Sequence, residues 1–268
     1  MLLVVDVGNT QTHVGLSSGG DVVDEWRIAT VRHRTSDEIA GMLQGLFSLQ
    51  GRRLTEVVGE VGVASVVPRL TQQWEEMCVK HLGIQAFVVG PGARTGMRIK
   101  TRNPSEVGAD RIVNAVAAYE QVHGAVVVVD FGTATTFDVV SRQGEYLGGV
   151  IAPGVMISCE ALFLKASKLP RVEIFAKPKS IIAKDTISSM NAGIIYGYVG
   201  LVDGIVSRIK EALGVPTRVI ATGGLACLIA SETKSIDTVD DYLTLKGLKI
   251  IYERNRPRRE ERGKGGVA

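Results

Sequence analysis

Apolar residues along this chain fall into short continuous runs and longer periodic ones. Leu2-Leu3-Val4-Val5 is a continuous run that meets Asp6 and then Gly8, Asn9 and Thr10. It predicts a short buried strand ending in a tight turn. Thr12 to Leu16 and Val22 to Ile28 alternate, predicting two more strands joined through Ser17-Ser18-Gly19-Gly20. From Ser36-Asp37-Glu38 to Leu49 the period lengthens, with Ile39, Met42, Leu43 and Leu46 at helical spacing. Val57 to Val67 reads as a strand, Pro68 opens a helix with Trp74, Met77 and Cys78 inward, and Ala86 to Val89 is a short strand before Gly90-Pro91-Gly92. Ala93 to Val107 has little periodicity, and a loop this long in a compact chain is usually functional. It delivers Gly108-Ala109-Asp110-Arg111 to the start of a helix patterned by Ile112, Val113, Ala115, Val116 and Tyr119.

The opening pattern then returns. Ala125 to Val129 is again an apolar strand, followed by Asp130-Phe131-Gly132-Thr133-Ala134-Thr135-Thr136, with Phe137 to Val140 and Tyr146 to Ile151 as the two following strands. One Asp-x-Gly turn after a strand is ordinary turn chemistry. Two, each leading a meander, predict paired turns whose N–H and O–H donors clasp a polyphosphate from both sides. Further on, Pro153-Gly154 opens a helix toward Leu164, and Lys168 to Lys179 is a surface connection. Asp185-Thr186 precedes a long helix to Leu213 that carries Ala192, Gly193, Gly197, Gly200 and Gly204. Those small residues suit a domain or dimer interface, or close internal packing. Val219 to Ala221 is a strand ending at Thr222-Gly223-Gly224, a turn that could approach adenine; Leu225 to Ala230 and Tyr242 to Asn255 read as helices.

Composition narrows the class. The 268 residues are 45% hydrophobic and 22% charged, with 31 glycines and 5% aromatics, which fits a compact soluble globular protein with tight turns and small-residue packing better than a base-stacking surface. Nothing near 18 consecutive apolar residues occurs, so no membrane span is expected, and the N-terminus does not read as a signal peptide. Cys78, Cys159 and Cys227 are odd in number and widely spaced, which suits a reducing cytoplasm. His13, His33, His81 and His123 show no ligand spacing. The net charge of +3 comes from the end of the chain: six basic residues and two acidic ones follow from Arg254, leaving 25 basic and 26 acidic residues upstream. Residues 256–268 are expected to be a solvated tail, with nucleic acid as the less favoured reading. Asp110 at the helix start either favours the helix dipole or, with Arg111, borders a cleft.

These motifs together resemble the type III pantothenate kinases, of the superfamily that includes acetate kinase, sugar kinases, Hsp70 and actin. The resemblance is carried by Asp6 to Thr10, Asn103-Pro104-Ser105-Glu106-Val107-Gly108-Ala109-Asp110-Arg111-Ile112-Val113-Asn114-Ala115 and Asp130 to Thr136. Gly148 to Gly154, Leu169 to Glu173, Thr222-Gly223-Gly224 and Leu243 to Leu248 extend it. It implies an α/β fold of two ribonuclease-H-like domains, residues 1–120 and 121–255, with mixed sheets flanked by helices and a nucleotide cleft between them. It also implies a cytoplasmic homodimer that phosphorylates pantothenate with ATP, the first step toward coenzyme A. Carried over by position, Asp6, Val7, Gly8, Asn9, Thr10, Gln11, Thr12, His13 and Thr133 would bind ATP, with Asp6 near Mg²⁺ and Asp130 holding K⁺ or NH₄⁺. Thr101, Gly108, Ala109, Asp110, Arg111 and Thr186 would bind pantothenate, with Asp110 as the proton acceptor. Phosphoryl transfer needs chiefly positioning and charge neutralisation, so the absence of a GxxxxGK[ST] loop is no obstacle.

Two departures stand out. Thr101 occupies the place of the family's Tyr or Phe, and Asp185-Thr186…Met190-Asn191-Ala192-Gly193 replaces Asn-Thr…Met-Gln-Ser-Gly. The alternatives are another small-molecule kinase or polyphosphate phosphatase of the superfamily, or a non-catalytic regulatory homologue.

Overall fold

The computed structural model describes residues 1–19, 21–172 and 177–256; Glu173 and nearly all of the basic tail lie outside them. The strands and helices run, in chain order, β1 (Leu2–Val7), β2 (Gln11–Ser18), β3 (Asp21–Ala29), α1 (Ser36–Ser48), α2 (Leu54–Val57), β4 (Glu60–Ser65), α3 (Pro68–Met77), β5 (Phe87–Val88), β6 (Arg98–Ile99) and α4 (Ala109–Val122). The second half continues with β7 (Val126–Phe131), β8 (Ala134–Val140), β9 (Glu145–Pro153), α5 (Val155–Lys165), α6 (Thr186–Leu213), β10 (Arg218–Thr222), α7 (Ala226–Ala230), β11 (Thr238–Val239) and α8 (Leu243–Asn255).

The repeat in the sequence is a repeat in topology. The first sheet has the order β3-β2-β1-β4-β5, and the second contains β9-β8-β7-β10-β11, the same order, with β6 added beyond β9. In each, the leading strand pairs antiparallel with the next and parallel with the strand that returns after the helices. Both sheets are therefore mixed and flanked by helices.

Alternation along the leading strands sorts their side chains between two layers. Leu3, Val5 and Val7 pack with Ile39, Leu43, Phe47, Leu70 and Trp74 beneath α1 and α3. Val127, Val129 and Phe131 pack with Val155, Ile195, Tyr198 and Val202 beneath α5 and α6. Leu2, Val4, Val126 and Val128 join a third core built on α4 and α8, which lies between the sheets. The same alternation puts Asp6 on the face of Val4 and Asp130 on the face of Val128. The central helices cross closely: a Cβ on Gly247 would stand 2.0 Å from the Val113 carbonyl oxygen.

Several expectations change in detail. The run Val57 to Val67 is split, because Leu54–Val57 forms one helical turn before the strand begins at Glu60. The aperiodic loop contains β6, and its Pro104–Glu106 stretch is a 3-10 turn. Helix α1 is capped by Thr35, whose side chain and that of Glu38 satisfy each other's backbone N–H groups. Helix α6 is long and apolar enough to cross a membrane by length and composition; here it lies along the second sheet with Ile194, Ile195, Val202 and Val206 buried. Cys78 and Cys159 are buried and Cys227 is exposed, all three as free thiols.

Candidate active site

The two strand-end turns face each other and touch. Gly8 N–H donates to the Gln11 carbonyl at 3.0 Å, closing the first turn, and Gly132 N–H donates to Ala134 at 3.1 Å, closing the second. A Cβ on Gly8 would sit 2.9 Å from that same Gln11 oxygen, so the turn is too tight for a side chain there. The hydroxyls of Thr10 and Thr133, 123 residues apart, are hydrogen-bonded at 2.9 Å, joining the two turns. Of the other first-segment residues, Gln11 is exposed. Asn9 Oδ1 accepts from Arg32. Val7 and Thr12 turn to the far face, where Thr12 Oγ1 bonds Thr30. His13 lies beside Asp6 on the cleft face and is paired with Glu25 at 2.5 Å.

Asp6, Asp110 and Asp130 lie close enough beneath the turns for their charges to interact. Asp6 is held well above the usual carboxylate range by burial, then by the charges of Asp110 and Asp130. Burial and the neighbouring Asp110 and Asp138 push Asp130 up to about 7. Burial also raises Asp110, against the pull of the Arg111 backbone N–H and guanidinium. Arg27 lowers both Asp6 and Asp130; it faces His13 across β2 and β3. Asp6 Oδ1 is buried without a hydrogen-bond partner among the described residues. Such a cluster of desolvated negative charge fits a cation. No three His, Cys, Asp or Glu side chains among the described residues are grouped to enclose a metal alone.

Asp130 is fixed by residues that sequence reading passed over. Asn114, almost fully buried on α4, donates from Nδ2 to Asp130 Oδ2 at 3.0 Å and accepts from Thr244 Oγ1 of α8 at 2.7 Å. A polar residue inside the apolar pattern Ile112-Val113-Ala115-Val116 was the available signal. Gly223 closes over the same carboxylate: its φ is +94°, and a Cβ would fall 2.7 Å from Asp130 Oδ1.

At the start of α4, Asp110 is the second residue of the helix. Its Oδ1 accepts from the Arg111 backbone N–H at 2.8 Å. Arg111 Nε donates to Asp138 Oδ1 at 2.7 Å, and Arg111 Nη2 is buried with no partner among the described residues. Asp138 is pushed up to about 6 by burial, against Arg111, Tyr146 and Thr136. Thr101 borders Gly148, its Cγ2 lying 3.7 Å from where a Cβ would be, and a Cβ on Gly149 would be 3.0 Å from Arg111 Nη2. Thr101 and Arg111 thus flank one glycine pair of β9. Thr186 stands apart, exposed at the first position of α6, where Asp185 caps the helix through the Ser188 N–H.

The arrangement resembles known proteins along its whole length. The family model for type III pantothenate kinase matches residues 2–208. The type III pantothenate kinase of Syntrophobacter fumaroxidans is 58% identical over 256 residues, covering 96% of this chain and 99% of that protein. That of Geobacter sulfurreducens is 56% identical, covering 96% and 100%. Among solved structures, a Campylobacter jejuni protein described as a Baf family transcriptional activator superposes with a TM-score of 0.59 at 17% identity, covering 94% of this chain and 98% of that one. A Sinorhizobium meliloti protein described as a 2-dehydro-3-deoxygalactonokinase superposes at 0.58 with 14% identity, covering 97% and 98%. These structural likenesses bear out the fold: a mixed α/β architecture of two mixed sheets flanked by helices.

Proposed function

The chain belongs to the type III pantothenate kinase family, and we propose that the cleft between its two sheets is where it carries out that family's reaction. The protein is a phosphotransferase that phosphorylates pantothenate with ATP in the biosynthesis of coenzyme A. The observation that carries the site assignment is the Thr10–Thr133 contact, which brings the two Asp-bearing turns together above Asp6 and Asp130.

In this reading the segment Asp6 to His13 and Thr133 hold the triphosphate through turn N–H groups and hydroxyls. Val7 and Thr12 contribute backbone rather than side chains. Asp6 would hold Mg²⁺ and Asp130 a monovalent cation, K⁺ or NH₄⁺; when bound, these ions neutralise charge on the phosphates. Asp110 accepts the proton of the attacking hydroxyl, and its elevated pKa brings it closer to the range where a general base works best. Arg111 holds the pantothenate carboxylate through a forked contact, beside Gly108, Ala109 and Thr101. Thr101 leaves more room at this point than an aromatic ring. Thr186 is assigned to the acceptor by the family resemblance alone, since it lies exposed at the start of α6 and apart from Asp110 and Arg111.

A homodimer is supported by the second half's outer surface. Met156, Ile157, Phe163 and Leu164 of α5 are exposed, and Gly193, Gly197 and Gly200 of α6 face open space. Light scattering on the purified protein checks this, and a monomeric mass would overturn it. Free thiols support a reducing cytoplasm. The deciding assay is coupled ADP release with and without pantothenate and K⁺. Turnover that needs both is expected; turnover indifferent to pantothenate would sink the assignment.

A further inference from the structure

One carboxylate on the acceptor side has no part in the reaction just described. Asp138 lies mid-strand in β8, wholly buried, on the same face as Thr136, the residue opposite Asp130. Its Oδ1 accepts from Arg111 Nε at 2.7 Å and from Tyr146 Oη at 2.7 Å, and its Oδ2 accepts from Thr136 Oγ1 at 3.2 Å. Three donors converge on one carboxylate, so its position is determined by β8, β9 and α4 together.

A guanidinium offers two forked edges, one through Nε and one through the two Nη atoms. Asp138 occupies the Nε edge. The Nη2 end lies over Gly149, where any side chain would crowd it, and it has no partner among the described residues. Thr101 Oγ1, beside the same glycine pair, is likewise buried and unpartnered among the described residues. We propose that Asp138 is a positioning residue that clamps Arg111 by its Nε edge, so that the Nη edge is presented ready-made to the acceptor's carboxylate. The proposal rests on the reading that Arg111 binds that carboxylate. A long flexible side chain otherwise loses its freedom when the ligand arrives, and anchoring it beforehand removes that cost from binding.

The test is steady-state kinetics on the full-length protein. Asp138→Ala is expected to raise KM for pantothenate about tenfold or more, with kcat and KM for ATP within about threefold, the signature of lost ground-state positioning. Asp138→Asn keeps an oxygen for Arg111 and Tyr146 and can donate to Thr136, so it should restore KM to within about threefold of wild type. Asp138→Val, of similar size on the strand, takes the place of the alanine variant should that one fold poorly. Arg111→Ala is expected to raise KM for pantothenate comparably, and adding Asp138→Ala to it should change nothing more. The neutral primary amide of pantothenate should show a much smaller Asp138→Ala effect. A unchanged pantothenate KM in Asp138→Ala, with Arg111→Ala impaired, would overturn the clamp alone. Additive losses in the double variant, or a fall in kcat with both KM values altered, would also overturn it as a general structural effect. A normal pantothenate KM in Arg111→Ala would instead remove the carboxylate reading beneath it.

Discussion

Asp110 owes its position to a missing atom. Its carboxylate curls back over the start of α4, where a Cβ on Gly108 would stand 2.5 Å from Oδ1. Only glycine at the N-cap leaves that space, which gives the Gly-Ala-Asp-Arg segment a physical reason. The carboxylate is then held by a helix-terminal N–H and raised by burial, a balance that keeps it basic without burying it unpaired. Asp110→Asn should lower kcat by about 10²–10⁴-fold, the usual worth of a general base. Nucleotide binding should survive, since the amide keeps the shape and relieves Asp6 of a like charge. Turnover by ADP release and nucleotide affinity by calorimetry check the two halves of that statement; near-normal turnover would exclude Asp110 as the base.

At the scale of elements, the α4–α8 crossing joins the two halves and also carries the Thr244–Asn114–Asp130 chain of hydrogen bonds. Gly247→Ala would drive a methyl into the Val113 carbonyl. The expected cost is about 1–3 kcal/mol, as for other overpacked cores, read as a lower melting temperature. An unchanged melting temperature would mean that the crossing relaxes freely. The main strands and long helices were legible because each runs long enough to display its period. Phe87–Val88 was legible as a short apolar run before Gly90-Pro91-Gly92, whereas Arg98–Ile99 and Thr238–Val239 are two residues each and display no period. The turns with Asp6 and Asp130 were legible from their repetition. Asn114 was marked only as a polar residue within an apolar run, and its pairing was not legible, nor was that of Asp138: Thr244 meets Asn114 across 130 positions, and Asp138 meets Arg111 across 27. Nothing local marks such a pair.

For the whole molecule, the buried acidic cluster sets a pH dependence. An unfolded Asp130 loses its proton near 3.8, whereas the folded chain holds it up to about 7. Between those values the folded state binds more protons, so stability falls as pH rises and levels off above the folded pKa. The ligand-free protein is therefore expected to melt at progressively lower temperature from about pH 5 to about pH 7, with little further change by pH 8. Asp130→Asn should flatten that slope, and K⁺ or Mg²⁺-ATP should offset it at pH 8. Melting curves across the range decide the matter; a wild-type slope of opposite sign would show that the cluster is not the controlling charge. The hydroxyl contact between the two turns has a kinetic consequence. Thr10 and Thr133 occupy each other, so an arriving triphosphate must part them before it can be held. With nucleotide bound at these turns as proposed, entry would depend on how often this bond opens as well as on how often nucleotide collides with the site. Thr10→Val should let a fluorescent ATP analogue associate faster and escape faster in stopped-flow measurements, while an unchanged association rate would mean the bond is no barrier. In the proposed site, the pair of hydroxyls assigned to the nucleotide would be, before it arrives, the latch on the door.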